Sequence, residues 1–141
     1  MAPTEERVAP TAPVADLPSA TIALLTEAGC VPQGNPDRLP TRHANVWLRY
    51  PLAGVDSFTA ERYVSVHAGF DTTDANADPN RLVPLDVVRE LESEGRIGAL
   101  HDSFYTTSGV DTPVATAVKF GQEIAAELRS AEVSAVILTG T

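Results

Sequence analysis

The chain has 141 residues, enough for one domain with a core, and its 10 Lys and Arg against 19 Asp and Glu give a net charge of -9. This charge repels nucleic-acid phosphates and anionic lipid head groups, and no apolar run approaches the roughly 20 residues that span a bilayer. The sequence shows no signal-peptide pattern and its single Cys30 cannot form an internal disulfide, so we expect a cytoplasmic protein.

Residues 1–18 are rich in Pro, Ala and Glu without a period, which predicts a disordered tail before a partial α/β domain at residues 19–141. Apolar runs and turn formers then predict the elements of the first half. These are a strand at residues 21–25, a loop at 32–38, a short edge strand at 45–51, a strand at 62–67 and a long polar loop at 69–80.

The second half contains the strongest helix and strand signals. A short helix is predicted with Leu85, Val88 and Leu91 inward and with Gly95 at its end. A longer helix starts at the sequence Asp-Thr-Pro of residues 111–113, with Pro at the first helical position. Its predicted buried stripe comprises Val114, Ala117, Val118, Gly121, Ile124, Ala125 and Leu128.

Residues 133–138 are almost entirely apolar and β-branched, which is typical of an interior strand of a parallel sheet covered on both faces. Strands that alternate with helices predict an α/β fold, an open and mostly parallel sheet flanked by helices. In such sheets ligands bind at the carboxyl ends of the strands. Thr139, Gly140 and Thr141 follow the last strand and are therefore expected to border a site.

A second candidate region is the segment that precedes the long helix, where Thr107, Ser108, Gly109, Asp111 and Thr112 combine small hydroxyl residues with a glycine. Free N–H groups and the helix dipole favour a carboxylate or phosphate at such a place. Simple helix capping explains the same residues equally well. The Lys of a P-loop is missing, so nucleotide binding is not supported.

The remaining candidates have structural alternatives. His67 is followed closely by Gly69 and Asp71 and is the best placed histidine for a site, although a hydrogen-bonded structural histidine is favoured. No histidine or cysteine pair has a metal-ligand spacing, and no metal is expected. The acidic loop that starts at Asp74 departs from the calcium template at its sixth and twelfth positions, and Cys30 has no neighbour that would activate a thiolate.

Several long motifs together resemble one family, the selenoprotein subunit of component B of the glycine, sarcosine and betaine reductases. They are AGCVPQGNPDR at residues 28–38, VHAGFD at 66–71, DPNRLVPLD at 78–86, EGRIG at 94–98, FYTTSG at 104–109, TPV at 112–114 and FGQEIA at 120–125. The resemblance covers about residues 20–141 in unbroken order.

The resemblance implies an oxidoreductase subunit that cleaves the C–N bond of a small amino acid or N-methylated amino acid. It also implies two partners, a component B subunit that carries a pyruvoyl group and the small selenoprotein A, and no cofactor in this chain. Members of the family carry their selenocysteine nucleophile directly after a strand that ends ILTST. Residues 137–141 read ILTGT, so the nucleophile, a selenocysteine or a cysteine, is expected immediately after Thr141.

On this interpretation the chain contains no catalytic nucleophile, is a truncated subunit and is inactive by itself. The alternative is a non-catalytic domain that binds a small carboxylate or regulates another protein. The substrate-binding candidates are His67, Asp71, Thr107, Ser108, Gly109, Asp111 and Thr112. The motifs do not separate glycine, sarcosine and betaine as substrates.

Overall fold

The computed structural model describes residues 9–141, so the first eight residues of the predicted tail lie outside the described part. Residues 9–16 are exposed and contain no helix or strand. The strands are β1 (Thr21–Thr26), β2 (Cys30–Pro32), β3 (Leu48–Pro51), β4 (Tyr63–Ser65), β5 (Ala99–Thr106) and β6 (Ala135–Thr139). The helices are α1 (Thr73–Ala77), α2 (Leu85–Ser93) and α3 (Val114–Ser130), with 3₁₀ turns at Leu17–Ser19 and Pro79–Arg81.

Four strands form an open sheet in the order β3-β5-β1-β6. β1 pairs in parallel with both β5 and β6, and β3 runs antiparallel to β5 at the edge. The predicted mostly parallel sheet flanked by helices is therefore confirmed. Thr26, at the end of β1, is in register with Thr106 of β5 and Thr139 of β6, so three carboxyl ends lie side by side.

The two faces of the sheet are covered differently. On one face α3 packs Ile124 and Leu128 against Ala23 and Tyr105. The other face carries the larger core, in which Leu24 and Phe104 meet side chains from α2 and from the two-stranded antiparallel sheet of β2 and β4. Within residues 9–141 no helix has both the length and the apolar character required to cross a membrane.

The short helix was predicted correctly from its pattern. In α2, Leu85 and Val88 are buried and Leu91 packs partly buried against the core. Gly95 follows the helix with φ +67°, a left-handed conformation that glycine adopts without steric cost. The apolar spacing and the glycine after the helix both predicted α2 correctly, because its single apolar face packs against one layer of the core.

The prediction for β6 was wrong in one respect, since this strand is an edge strand of the described sheet. It pairs with β1 alone, and Val136, Ile137 and Leu138 are 41%, 37% and 66% exposed. An apolar pattern on both faces predicts burial, but burial depends on a neighbouring strand and on layers on both sides. Among the described residues β6 lacks the second neighbour.

The stripe predicted for α3 was half right. Ile124 and Leu128 are buried together with Phe120, whereas Val114 and Val118 are 80% and 53% exposed. The exposed residues belong to the first half of the helix, where a pocket separates it from the strand ends. Pro113 occupies the N-cap position instead of the first helical position.

Two other segments also differ from the prediction. The polar loop at residues 69–80 contains α1 and a 3₁₀ turn, because Asn76 and Asn80 bond backbone groups of neighbouring segments. The eight-residue β5 was not predicted at all, since its first half is interrupted by His101, Asp102 and Ser103. The register between β1 and β5 shifts between Ile22 and Leu24, beside that polar stretch.

Candidate functional site

A pocket of about 540 Å³ lies at the carboxyl ends of β1, β5 and β6 and is bounded by α3. The three strands end in register, and the pocket lies between these ends and the first half of α3. The pocket is lined by Leu25, Thr26, Glu27, Thr107, Ser108, Gly109, Thr112, Ala117, Phe120, Gly121, Ile124, Leu138, Thr139 and Gly140.

Glu27 is the charged residue of the pocket lining, and it follows β1 directly. Its carboxylate lies against the backbone of Gly109. A Cβ at position 109 would be 1.8 Å from Glu27 Oε2, and a Cβ at Gly140 would be 3.5 Å from Glu27 Oε1. Glycine at position 109 therefore provides the space that the carboxylate occupies.

His67 lies behind Glu27 and is buried, with a side chain that is 4% exposed. Its Nε2 is 3.3 Å from Glu27 Oε2, and its Nδ1 is 3.1 Å from the amide nitrogen of Gly69. The amide of Val110 also lies 3.2 Å from Nε2. Backbone N–H groups therefore face both ring nitrogens, Gly69 at Nδ1 and Val110 at Nε2, and Nε2 also lies against the Glu27 carboxylate.

Thr141 approaches the other oxygen of the same carboxylate. Its amide N–H donates to Glu27 Oε1 at 2.5 Å, and its hydroxyl donates to the same atom at 2.8 Å. Thr141 thus presents two donors to Glu27 Oε1, and His67 Nε2 lies 3.3 Å from Oε2. The carboxylate is therefore oriented before any ligand enters, and one carboxylate still has capacity for a further partner.

Five hydroxyl groups line the pocket, and each of them donates its proton to a backbone carbonyl of the protein. The pairs are Thr26 to Thr139, Thr107 to Val46, Ser108 to Thr41, Thr112 to Ser108, and Thr139 to Leu82. A hydroxyl has one proton and two acceptor lone pairs. The protons of these hydroxyl groups are therefore already used within the protein, and the oxygens of Thr26 and Thr112 also accept from the amides of Ala28 and Ala44.

The family model for the glycine/sarcosine/betaine reductase selenoprotein B matches residues 1–141 of this chain. The chain belongs to this family. The match also covers the first residues, so the family likeness extends beyond the range of about 20–141 that the motifs indicate.

Curated relatives agree with this membership. The chain is 49% identical over 139 residues to the glycine reductase complex component B subunit gamma of Carboxydothermus hydrogenoformans, and 43% identical over 139 residues to the betaine reductase complex component B subunit beta of Peptoclostridium acidaminophilum. Each alignment covers 99% of this chain and 32% of the relative, so the chain spans about a third of these proteins.

A more distant relative has another name. The D-proline reductase subunit gamma of Acetoanaerobium sticklandii is 31% identical over 132 residues, which cover 88% of this chain and 50% of that subunit. No solved structure matches the chain. The named relatives are subunits of reductase complexes, which supports an oxidoreductase family.

The structure brings most of the predicted site residues together. Thr107, Ser108, Gly109 and Thr112 line the pocket, as do the bordering residues Thr139 and Gly140. His67 contacts the pocket through Glu27, and Thr141 bonds to the same carboxylate.

Two of the predicted residues lie outside the pocket lining. Asp111 has φ 56° and forms an ion pair with Arg42 at 2.8 Å. Asp71 accepts hydrogen bonds from the amide and the hydroxyl of Thr73, which hold the pKa of the Asp71 carboxyl below its usual value. Residues 114 and 115, whose amides begin α3, are also not among the lining residues.

Sequence reasoning did not identify Glu27 as a site residue. A signal was present, since Glu27 lies two residues after the predicted strand at 21–25 and precedes a turn that contains Gly29. A carboxylate at the carboxyl end of a central strand of an open α/β sheet lies where ligands bind. The strand order, which makes β1 central, comes only from the structure.

Cys30 and the acidic loop have structural roles. Cys30 is fully buried in the larger core, and burial raises the pKa of its thiol to about 12, so it is not an activated nucleophile. In the loop, Asp78 accepts from the amide of Asn80, and Asn76 accepts from the amide of Ser65. Among residues 9–141 no group of three His, Cys, Asp or Glu side chains is arranged to hold a metal ion.

Proposed function

We propose that this chain provides the pocket wall of a component B subunit that cleaves the C–N bond of glycine, sarcosine or betaine reductively. One observation carries the proposal. The segment after β6 borders the pocket and is tied to Glu27 through Thr141, at the point where the family resemblance predicts the nucleophile as the next residue.

The proposed reaction requires an exposed and strongly nucleophilic atom. A selenolate after Thr141 attacks the carbon that bears the amine, the new C–Se bond replaces the C–N bond, and the amine leaves with the bonding electron pair and takes up a proton. The carboxymethyl group then passes from this selenium to a selenolate of selenoprotein A, which frees the selenolate of this subunit, and a dithiol supplies the two electrons that cleave the C–Se bond on selenoprotein A and release the two-carbon acid. A cysteine thiolate would perform the same substitution. Cys30 is excluded from this role by its burial.

The substrate-binding candidates divide by their position. Thr107, Ser108, Gly109 and Thr112 form one wall of the pocket and set its shape. His67 acts through Glu27. Asp71 and Asp111 lie outside the lining, and we propose no direct substrate contact for them.

We further propose that the subunit acts in the cytoplasm with a partner that carries the pyruvoyl group and with selenoprotein A. Ala117, Gly121 and Leu138 are exposed residues at the pocket lining. The pocket is therefore open to groups that other subunits present. The pyruvoyl group belongs to a partner, so no residue of this chain is required to hold it covalently.

The first test is the coding sequence that follows the codon for Thr141. A UGA codon with an in-frame continuation, or a Cys codon, supports the nucleophile at this position. A different residue there in the complete gene product would overturn the proposed chemistry and would favour the alternative, a domain that binds a small ligand without turnover.

The second test is turnover by the complete subunit, reconstituted with its partner subunit and selenoprotein A and supplied with a dithiol. C–N cleavage releases ammonia from glycine, methylamine from sarcosine and trimethylamine from betaine, and the amine identifies the substrate. Omission of each protein in turn is the control. Absence of amine release with all three substrates would contradict the proposal.

A further inference from the structure

We propose that the pocket holds its substrate by the cationic nitrogen, and that Glu27 is the residue that binds this charge. The inference rests on the proposed function, because the ammonium groups of glycine and sarcosine and the trimethylammonium group of betaine are the cations concerned. It reverses the expectation of an anion site that the hydroxyl-rich segment suggested.

The charges of the pocket favour a cation. Among the lining residues Glu27 alone is charged. Nearby cationic side chains have other partners, since Arg42 pairs with Asp111 and Lys119 lies 3.7 Å from Glu123. A carboxylate ligand inside this pocket would meet a like charge at short range, which is unfavourable in a partly enclosed site.

The hydrogen-bonding groups of the pocket also favour a cation. All five lining hydroxyls give their protons to backbone carbonyls, so no free hydroxyl donor remains for a carboxylate. Thr107, Thr112 and Thr139 are partly exposed, and their oxygens keep lone pairs that attract N–H groups or polarised methyl groups. The amides of residues 114 and 115, which would serve an anion, are outside the lining.

The apolar part of the lining suits an alkylated nitrogen. Leu25, Ile124 and Leu138 contribute aliphatic surface, and Phe120 contributes an aromatic ring. Quaternary ammonium groups are bound in proteins by aromatic rings combined with a nearby negative charge. Trimethylammonium is therefore accommodated as well as a primary ammonium group.

His67 is proposed as a positioning residue for Glu27. His67 Nε2 lies 3.3 Å from Glu27 Oε2, and Thr141 donates two hydrogen bonds to Oε1, so contacts on both oxygens orient the carboxylate. Glycine at position 69 leaves the space that the His67 ring occupies, because a Cβ there would lie 2.7 Å from His67 Cε1. A preoriented carboxylate binds a cation without the entropy cost of ordering a long side chain.

The test uses two probes of the same shape and different charge, betaine and 3,3-dimethylbutanoate, with tetramethylammonium as a cation that lacks a carboxylate. Binding to the 141-residue chain is followed by amide NMR shifts, which also show that each variant is folded. Betaine and tetramethylammonium are expected to shift pocket amides at concentrations at which 3,3-dimethylbutanoate does not. Equal binding of the two isosteres would overturn the proposal.

Two variants remove the carboxylate in different ways. Glu27→Gln removes the charge, and Gly109→Ala keeps the charge but displaces the flexible carboxylate from its place. Each is expected to weaken tetramethylammonium binding about tenfold or more. Glu90→Gln, which neutralises an exposed carboxylate on α2, is the matched control and leaves binding unchanged. Unchanged binding in folded Glu27→Gln would refute the assignment.

The role of His67 is tested by a double-mutant cycle. His67→Ala is expected to weaken cation binding several-fold in the wild-type background and to have no effect on binding when Glu27 is already Gln. Additive losses would assign His67 to folding alone.

The inference and the proposed function fail separately. Selective cation binding without amine release refutes the reductase proposal and leaves the cation site. Amine release with a Michaelis constant unaltered by Glu27→Gln retains the reductase and removes the cation site.

Discussion

His67 Nε2 lies 3.3 Å from Glu27 Oε2, although Glu27 follows β1 in the main sheet and His67 follows β4 in the two-stranded sheet. The contact joins the two layers at the edge of the pocket. Glycines at positions 69 and 109 leave the space for the ring and for the carboxylate. The pair thus depends on two positions that carry no side chain.

The ring contact of His43 predicts its tautomer. Its Nδ1 lies 2.9 Å from the carbonyl oxygen of Asp111, which can only accept, so the neutral ring must donate from Nδ1. Nitrogen-15 correlation spectra of the imidazoles at alkaline pH identify the protonated nitrogen. A His43 ring protonated on Nε2 would contradict the arrangement.

Cys30 is expected to resist thiol reagents. It is fully buried, and burial raises its thiol pKa to about 12, so neither access nor thiolate is available at neutral or mildly alkaline pH. Reaction with a chromogenic disulfide should be slow in the folded chain and fast in urea. Rapid labelling without denaturant would show that the core opens at this point.

Glu92 should make stability sensitive to acid. Burial alone would raise its pKa, but the amide of Leu100 and the Arg89 guanidinium bond the carboxylate and lower the pKa below the ordinary 4.5. The stabilisation is therefore present above pH 4.5 and is lost as the pH falls through the lower folded value.

We expect Glu92→Gln to lower the free energy of unfolding near neutral pH by about 1–2 kcal/mol and to flatten its decline in acid. Urea unfolding across the acid range measures both effects. Glu90→Gln, an exposed position on the same helix, should reproduce the wild-type profile. An acid profile of Glu92→Gln identical to that of the wild type would contradict the assignment.

Two glycine substitutions should have opposite effects on stability. A Cβ at Gly98 would lie 2.7 Å from the backbone carbon of Ser19 and 2.9 Å from the backbone of Ala20, so Gly98→Ala is expected to cost about 1–3 kcal/mol. A Cβ at Gly121 meets nothing within 4 Å, and Gly121→Ala in α3 should gain about 0.5–1 kcal/mol. Thermal unfolding of both variants gives the comparison, and equal shifts would contradict it.

The exposed edge of β6 should promote association of the 141-residue chain. Ile137 is 37% exposed on a strand that has one neighbour among residues 9–141, and such edges pair with other strands. Sedimentation velocity is expected to show concentration-dependent association that Ile137→Lys reduces. Val87→Lys, at a 51% exposed position on α2, should have no effect. A wild-type monomer at all concentrations would disprove the expectation.

The part of the fold that could be predicted depends on residues close together in the sequence. The α2 pattern was sufficient because Leu85, Val88 and Leu91 lie on one helix face against one layer. β5 was not predictable, because residues 101–103 break its apolar pattern and the strand is stabilised by pairing with β1 and β3. A strand's hydrogen bonds come from other segments, so its own composition is a weak guide.

The sequence by itself determined the class of fold and the family likeness and predicted a candidate site at the carboxyl ends of parallel strands, since these depend on periodicity and on contiguous motifs. The tertiary structure decided the character of that site. It placed Glu27 beside His67 and Thr141 and directed the protons of the five lining hydroxyls to backbone carbonyls. The charge inside a pocket and the hydrogen-bond partners of its side chains depend on residues far apart in the chain, and only folding brings these residues together.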